Sequence, residues 1–190
     1  MKLNELYKRA CEQVDRVGGR SIRPLPLAFE SVNIEFASGD GAVRDTGLYI
    51  FGDVGTGKTT TLYAEYYRML IQKPLAEVWF GSWYDFVYVC ENSSNPAVEL
   101  QNKECLFFDD IGLGYETAKQ LSVFYEIVNH RWEWKKLMLF TSNLSLKELV
   151  ERYNEDPTKF ALWHRIISRI NDRCGMLQIV GNDKRLNKKQ

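Results

Sequence analysis

The segment Gly52-Asp53-Val54-Gly55-Thr56-Gly57-Lys58-Thr59 constrains this chain more than any other. It reads G-x-x-x-x-G-K-T, a phosphate-binding loop that needs a strand before it and a helix after it. Both are legible. Leu48-Tyr49-Ile50-Phe51 is a short apolar run ending at the loop, and Leu62, Tyr66, Met69 and Leu70 then recur at helical spacing. The glycines let backbone N–H groups close around phosphate oxygens, and the helix N-terminus behind them favours negative charge. Lys58 has the reach for β- and γ-phosphates, Thr59 carries a hydroxyl suited to Mg²⁺, and Thr60 continues the cradle into the helix.

Charge and cysteine usage remove other classes. Lys plus Arg number 25 and Asp plus Glu number 25, a formal net charge of +0. The chain as a whole is therefore no electrostatic nucleic-acid binder, and contact with nucleic acid has to be local or shared among subunits. Cys11, Cys90, Cys105 and Cys174 are far apart and form no C-x-x-C pair. That argues against a zinc site or a disulfide framework and suits a reducing, cytoplasmic setting. His130 and His164 are too isolated to hold a metal. There is no signal-peptide core, and no apolar run approaches the roughly 18 residues of a membrane span. A length of 190 residues predicts one domain with a substantial core.

Along the chain, Leu3, Leu6, Tyr7, Ala10, Val14 and Val17 form a helical stripe that Gly18-Gly19 ends. Arg23-Pro24-Leu25-Pro26 reads as extended chain, and residues 37–47 as a loop. From Leu48 the pattern alternates. Strands are expected at 48–51, 77–81, 105–109, 137–141 and 176–180, with helices near 58–72, 83–91, 116–134, 145–153 and 158–173. Such alternation means an α/β fold, a parallel sheet with helices on both faces. Asn92-Ser93-Ser94-Asn95-Pro96 is a break. The tail from Lys184 to Gln190 carries four basic residues and is expected to fray.

Cys105-Leu106-Phe107-Phe108-Asp109-Asp110 is an apolar strand ending in two carboxylates, the Walker B element of a P-loop protein. Its C-terminal end lies near the bound metal. Asp109 is expected to hold Mg²⁺, and Asp110 to orient or deprotonate the attacking water. The strand at Leu137–Thr141 leads into Ser142-Asn143, where the Asn143 amide has reach to the γ-phosphate or the water. Ser145-Leu146-Lys147-Glu148 is a capping box for the next helix. In the last helix Leu162, Ile166 and Ile170 form a core stripe, flanked by Trp163 and Ile167. Arg165 and Arg169 share the opposite face. They are either a solvated pair or the source of an arginine finger that acts on a neighbouring subunit's γ-phosphoryl group. Trp79, Trp83, Trp132, Trp134 and Trp163 fall mostly in apolar patterns and read as core or rim. Lys135-Lys136 reads as a solvated turn.

Taken in order, Gly52–Thr59, Phe107–Gly112 (F-F-D-D-I-G), Thr141–Leu149 (T-S-N-L-S-L-K-E-L) and Arg165–Ile170 (R-I-I-S-R-I) resemble the DnaC-type helicase loaders and the related IstB-type transposition ATPases of the AAA+ superfamily. Phe124–Arg131 is similar to the helix that follows Walker B in these proteins. The double Asp at Walker B, where many AAA+ proteins carry Asp-Glu, is itself similar to this family.

The resemblance implies a three-layer P-loop NTPase sandwich with a five-stranded parallel sheet in the order 5-1-4-3-2. It implies ATP and Mg²⁺ as cofactors, Asn143 as sensor 1, and Arg169 as the finger, with Arg165 as the competing assignment. Arg185 sits near a sensor-2 arginine found in some members. It also implies ATP hydrolysis by a homo-oligomer that acts with a replicative helicase and single-stranded DNA. A transposition helper, and a nucleotide-gated protein-binding module with incidental hydrolysis, stand as alternatives. Residues 47–190 would form the ATPase domain and residues 1–46 a helix and extended arm. Loaders of this kind resemble one another in carrying a sizeable N-terminal partner-binding domain. Here a single helix stands in that position, either as a reduced docking arm or packed on its own domain.

Overall fold

The computed structural model describes residues 1–19, 21–29, 46–181 and 183. Helix α1 (Leu3–Arg16) comes first, and a 3-10 turn at Leu27–Phe29 follows it. Then strand β1 (Gly47–Phe51) leads through the phosphate loop into α2 (Lys58–Gln72). The alternation continues with β2 (Val78–Ser82), α3 (Trp83–Asn92), α4 (Pro96–Gln101), β3 (Cys105–Asp109) and α5 (Ala118–Glu133). It closes with β4 (Leu137–Ser142), α6 (Leu146–Glu151), α7 (Pro157–Arg173) and β5 (Cys174–Gln178). The five strands pair in parallel in the order β2-β3-β4-β1-β5, which is the expected 5-1-4-3-2 read from the other edge.

Continuous apolar strands follow from burial on both faces of the sheet. Alternate side chains of β3 serve two cores: Leu106 and Phe108 face one, Cys105 and Phe107 the other. The first core is an aromatic cluster in which Phe108 meets Phe124 edge-on at 5.1 Å and Phe124 meets Trp163 at 6.0 Å. Burying each such ring contributes about 1.5–3 kcal/mol. The second core lies between the sheet, α2 and α1. Leu3, Leu6, Ala10 and Val14 pack there with Leu62, Tyr63, Tyr66 and Tyr67. Val17, expected on the same stripe, is exposed because α1 has already ended at Arg16.

The break at Asn92–Pro96 proves to be the start of α4. The Asn95 side chain accepts from the Val98 N–H at 3.2 Å, and Pro96 occupies the first turn, where its missing N–H costs nothing. Strand β5 runs two residues earlier than its apolar pattern suggests, because Gly47–Phe51 pair with Cys174–Gln178. The capping box at Ser145 forms as expected, with Ser145 N–H donating to Glu148 Oε2 at 2.8 Å. Trp83 and Trp163 are core. Trp134 departs from the expectation and is 68% exposed. Lys136 is no free turn residue, since its ammonium donates to the Gln101 carbonyl at 2.8 Å. Residues 37–45 of the expected loop lie outside the described residues, as does the basic tail. No helix among the described residues is long and apolar enough to cross a membrane.

Candidate nucleotide site

The strand order sets β4 between β1 and β3, so the C-terminal ends of three neighbouring strands deliver the phosphate loop, Asn143 and the paired carboxylates to one edge. This is where parallel α/β sheets bind ligands. The loop backbone needs glycine at specific points. Gly57, the residue that opens α2, has φ +109°, a conformation that side chains resist. At Gly52 a Cβ would fall 2.1 Å from the Ile179 carbonyl oxygen. Thr56 is buried, and its hydroxyl donates to the Asp53 carbonyl at 2.9 Å, closing the loop on itself.

Lys58 is buried and its ammonium donates to the carbonyls of Gly52 at 2.8 Å and Asp53 at 2.7 Å. The charge is thus held over the loop mouth. The Thr59 hydroxyl donates to Asp109 Oδ1 at 3.0 Å, joining the first turn of α2 to the end of β3. Thr60 is buried one step further along the same turn.

Asp109 receives a second hydroxyl, from Thr141 at 2.6 Å. Burial pushes the Asp109 carboxyl above its usual pKa, and the adjacent Asp110 charge adds to this; the Thr141 and Thr59 hydroxyls and Arg23 oppose it. A desolvated carboxylate beside a hydroxyl is a hard-oxygen pair that suits Mg²⁺, so these residues fit the ion the resemblance implies. Thr59 and Asp109 would hold it, with the ion neutralising phosphate charge when bound.

Asp110 sits at φ +56°, in the left-handed region. Its N–H donates to Thr141 Oγ1 at 2.8 Å, and the Ile111 N–H donates to the Thr141 carbonyl at 2.9 Å. One β4 threonine therefore fixes both acids. Asn143 is exposed and lines, with Phe51, Gly52, Asp53, Ser145 and Gln178, a cleft of about 540 Å³ that opens beside the loop.

Three contributions were not read from the sequence. Thr141 is the first; its role shows only once β3 pairs with β4 (Phe108↔Phe140), which sets it level with Asp109. Arg23 is the second. Its guanidinium donates to Tyr63 Oη at 3.1 Å and to the Phe80 carbonyl at 2.7 Å, and its charge is felt at Asp109. The third is Asp183, whose carboxylate packs against the loop. A Cβ on Gly55 would meet Asp183 Oδ1 at 1.9 Å.

The two arginines of α7 separate. The Arg165 side chain is exposed and makes no hydrogen bond or ion pair among the described residues; its carbonyl accepts from Arg169 Nη1 at 3.1 Å. Arg169 does not share a solvated face with it. Arg169 packs against α5, with Nε donating to Asn129 Oδ1 at 2.6 Å and Nη2 to Tyr125 Oη at 3.3 Å. Neither arginine bonds to the phosphate loop of its own chain among the described residues. Arg185 lies outside the described residues.

Comparison with solved structures decides the architecture. The fold superposes on DnaI with a TM-score of 0.60 at 18% identity, over 95% of this chain and 82% of that one. It superposes on the DnaC helicase loader at TM-score 0.56 and 21% identity, over 73% and 80%. The fold, a five-stranded parallel sheet between helical layers, is the one these proteins share. A DnaA replication initiator bound to AMPPCP and single-stranded DNA matches at TM-score 0.57 and 21% identity, over 76% of this chain and 43% of that one. In sequence, this chain is 29% identical over 102 residues to the chromosomal replication initiator protein DnaA of Enterococcus faecalis. That match spans 50% of this chain and only 23% of the relative's length. No family model matches the chain.

Proposed function

We propose that this protein is a Mg²⁺-dependent ATPase of the DNA-replication machinery that helps place a replicative helicase on single-stranded DNA. The observation that carries the reading is Lys58 held on the phosphate loop while the adjacent Thr59 bonds Asp109, a phosphate cradle joined to a partly buried carboxylate. The DnaC helicase loader shares the fold, and the DnaA neighbour holds an ATP analogue and single-stranded DNA. Those likenesses favour helicase loading over transposition and ATP over GTP.

In this reading Lys58 turns from the loop carbonyls to the β- and γ-phosphates. Asp110 orients the water for in-line attack, and Asn143 registers the γ-phosphate from the rim of the cleft. Loss of phosphate leaves Lys58 to return to Gly52 and Asp53. A neighbouring protomer supplies Arg169 to the phosphoryl charge, so turnover depends on assembly. The chain's neutral net charge agrees with DNA contact shared among subunits.

The test measures ATP turnover with and without Mg²⁺, single-stranded DNA and a replicative helicase. Stimulation by DNA and helicase, lost in K58A, is the expected result. Turnover indifferent to both, with no helicase retained in a pull-down, overturns the loader reading. No adenine-nucleotide binding in the presence of Mg²⁺ overturns the ATPase reading as well.

A further inference from the structure

Arg169 is held in a way that a solvated arginine is not. Its guanidinium has five N–H donors in a fixed plane. Nε donates to Asn129 Oδ1 at 2.6 Å, Nη1 to the Arg165 carbonyl at 3.1 Å and Nη2 to Tyr125 Oη at 3.3 Å. The plane also lies near two rings, with its central carbon 5.1 Å from the Tyr125 centroid and 5.5 Å from that of Trp132. Three of the five donors are spent. Among the described residues one N–H on each terminal nitrogen stays unspent, and together they form a fork that can take two oxygens of one phosphate.

The holders are themselves fixed. Asn129 Nδ2 donates to Glu133 Oε1 at 2.8 Å. A carboxylate only accepts and Nε only donates, so a single amide orientation satisfies both neighbours. Trp132 Nε1 donates to Asp172 Oδ2 at 2.7 Å, which ties that ring to α7 itself. The network runs Glu133–Asn129–Arg169 on one side and Asp172–Trp132–Arg169 on the other.

We propose that Asn129, Tyr125 and Trp132 are positioning residues that preset Arg169 as a two-pronged donor for the γ-phosphate of a nucleotide bound to a second copy of this chain. This rests on the ATPase reading above, with Arg169 rather than Arg165 as the group acting in trans. The cradle lowers the freedom lost when the fork engages, because a free arginine side chain has many rotamers to give up. Arg165, without such holders, lacks a fixed direction.

The experiment mixes two full-length variants with ATP, Mg²⁺ and single-stranded DNA. D110N protein keeps Arg169 and lacks the water-orienting acid; R169A protein keeps the acid and lacks the fork. Mixing restores turnover that neither shows alone, since each R169A site then faces an intact Arg169. Adding N129A to the D110N partner cuts the restored kcat by roughly tenfold to 100-fold, the scale of an ångström of misplacement, with KM little changed. Adding N129A to the R169A partner leaves the restored rate where it was. Y125F on the donor side gives a smaller loss of the same pattern and keeps the test open should N129A fold poorly. Restored turnover that N129A and Y125F lower equally from either side, or from neither, overturns the cradle and leaves the in-trans reading standing. No restoration on mixing overturns both.

Discussion

Replacing Thr141 by Val is the most telling perturbation of the proposed nucleotide site. The change keeps the shape of a side chain that is fully buried and removes one oxygen. That oxygen donates to Asp109 Oδ1 at 2.6 Å and accepts from the Asp110 N–H at 2.8 Å. A hydrogen bond to a charged group contributes about 1.5–3 kcal/mol, and a buried N–H left without a partner costs about 1–3 kcal/mol. The second hydroxyl on Asp109, from Thr59 at 3.0 Å, and partial water access at Asp110 offset part of this. A net loss of about 2–4 kcal/mol is expected, roughly 5–15 °C in Tm for a chain this size. Urea unfolding of T141V, with T141S as the variant that keeps the hydroxyl and loses one methyl (about 1 kcal/mol), measures it.

A double-mutant cycle with D109N separates the two bonds, with an expected coupling of about 1.5 kcal/mol. The sign with pH also follows. Asp109 is pushed up, so lowering the pH neutralises it earlier than an ordinary carboxyl, and the T141V penalty shrinks as its charged acceptor disappears. A T141V stability within about 0.5 kcal/mol of wild type, or a coupling below that figure, refutes the claim that one β4 hydroxyl anchors both acids.

Four other outcomes are expected. D109N removes a desolvated charge, so without Mg²⁺ it is more stable than wild type at pH 7. The gap narrows as pH falls towards 4, and Mg²⁺-ATP, which raises the wild-type Tm, does little for D109N; thermal melts at pH 4.5 and 7 check this. K58A removes the ammonium over the loop mouth and abolishes ATP uptake in calorimetry while leaving the fold intact by circular dichroism. D183N removes negative charge packed on Gly55 and tightens ATP binding several-fold; an unchanged Kd shows that the carboxylate does not oppose phosphate. R131M breaks a buried guanidinium that donates to five carbonyls, among them Lys103 at 2.7 Å and Leu137 at 2.6 Å. It costs about 3–5 kcal/mol in denaturant unfolding and leaves ATP affinity in the folded protein unchanged.

How far the sequence reached depends on how far apart the interacting residues lie. The phosphate loop was legible because its chemistry is local: Gly57 opens the helix that Lys58 and Thr59 begin, so spacing alone carries the geometry. The central strands were legible because burial on both faces writes continuous apolar runs such as Cys105–Phe108, whereas the mostly exposed edge strand β5 left its bounds two residues off. Helix α4 was missed because Asn95-Pro96 signals a stop and a start with the same residues, and only six residues of helix follow. The role of Thr141 was hidden at a different level. Nothing in Thr141-Ser142-Asn143 says that β4 runs beside β3 in a register that brings Thr141 to Asp109. Arg169 is the clearest case. Its spacing from Arg165 predicts a shared polar face, yet α5 crosses that face and supplies Tyr125, Asn129 and Trp132 from about 40 positions earlier in the chain. A helical wheel reports what one helix presents and says nothing of what packs on it. Two arginines one turn apart therefore have different roles, one solvated and one held, and the difference lies on a helix neither belongs to.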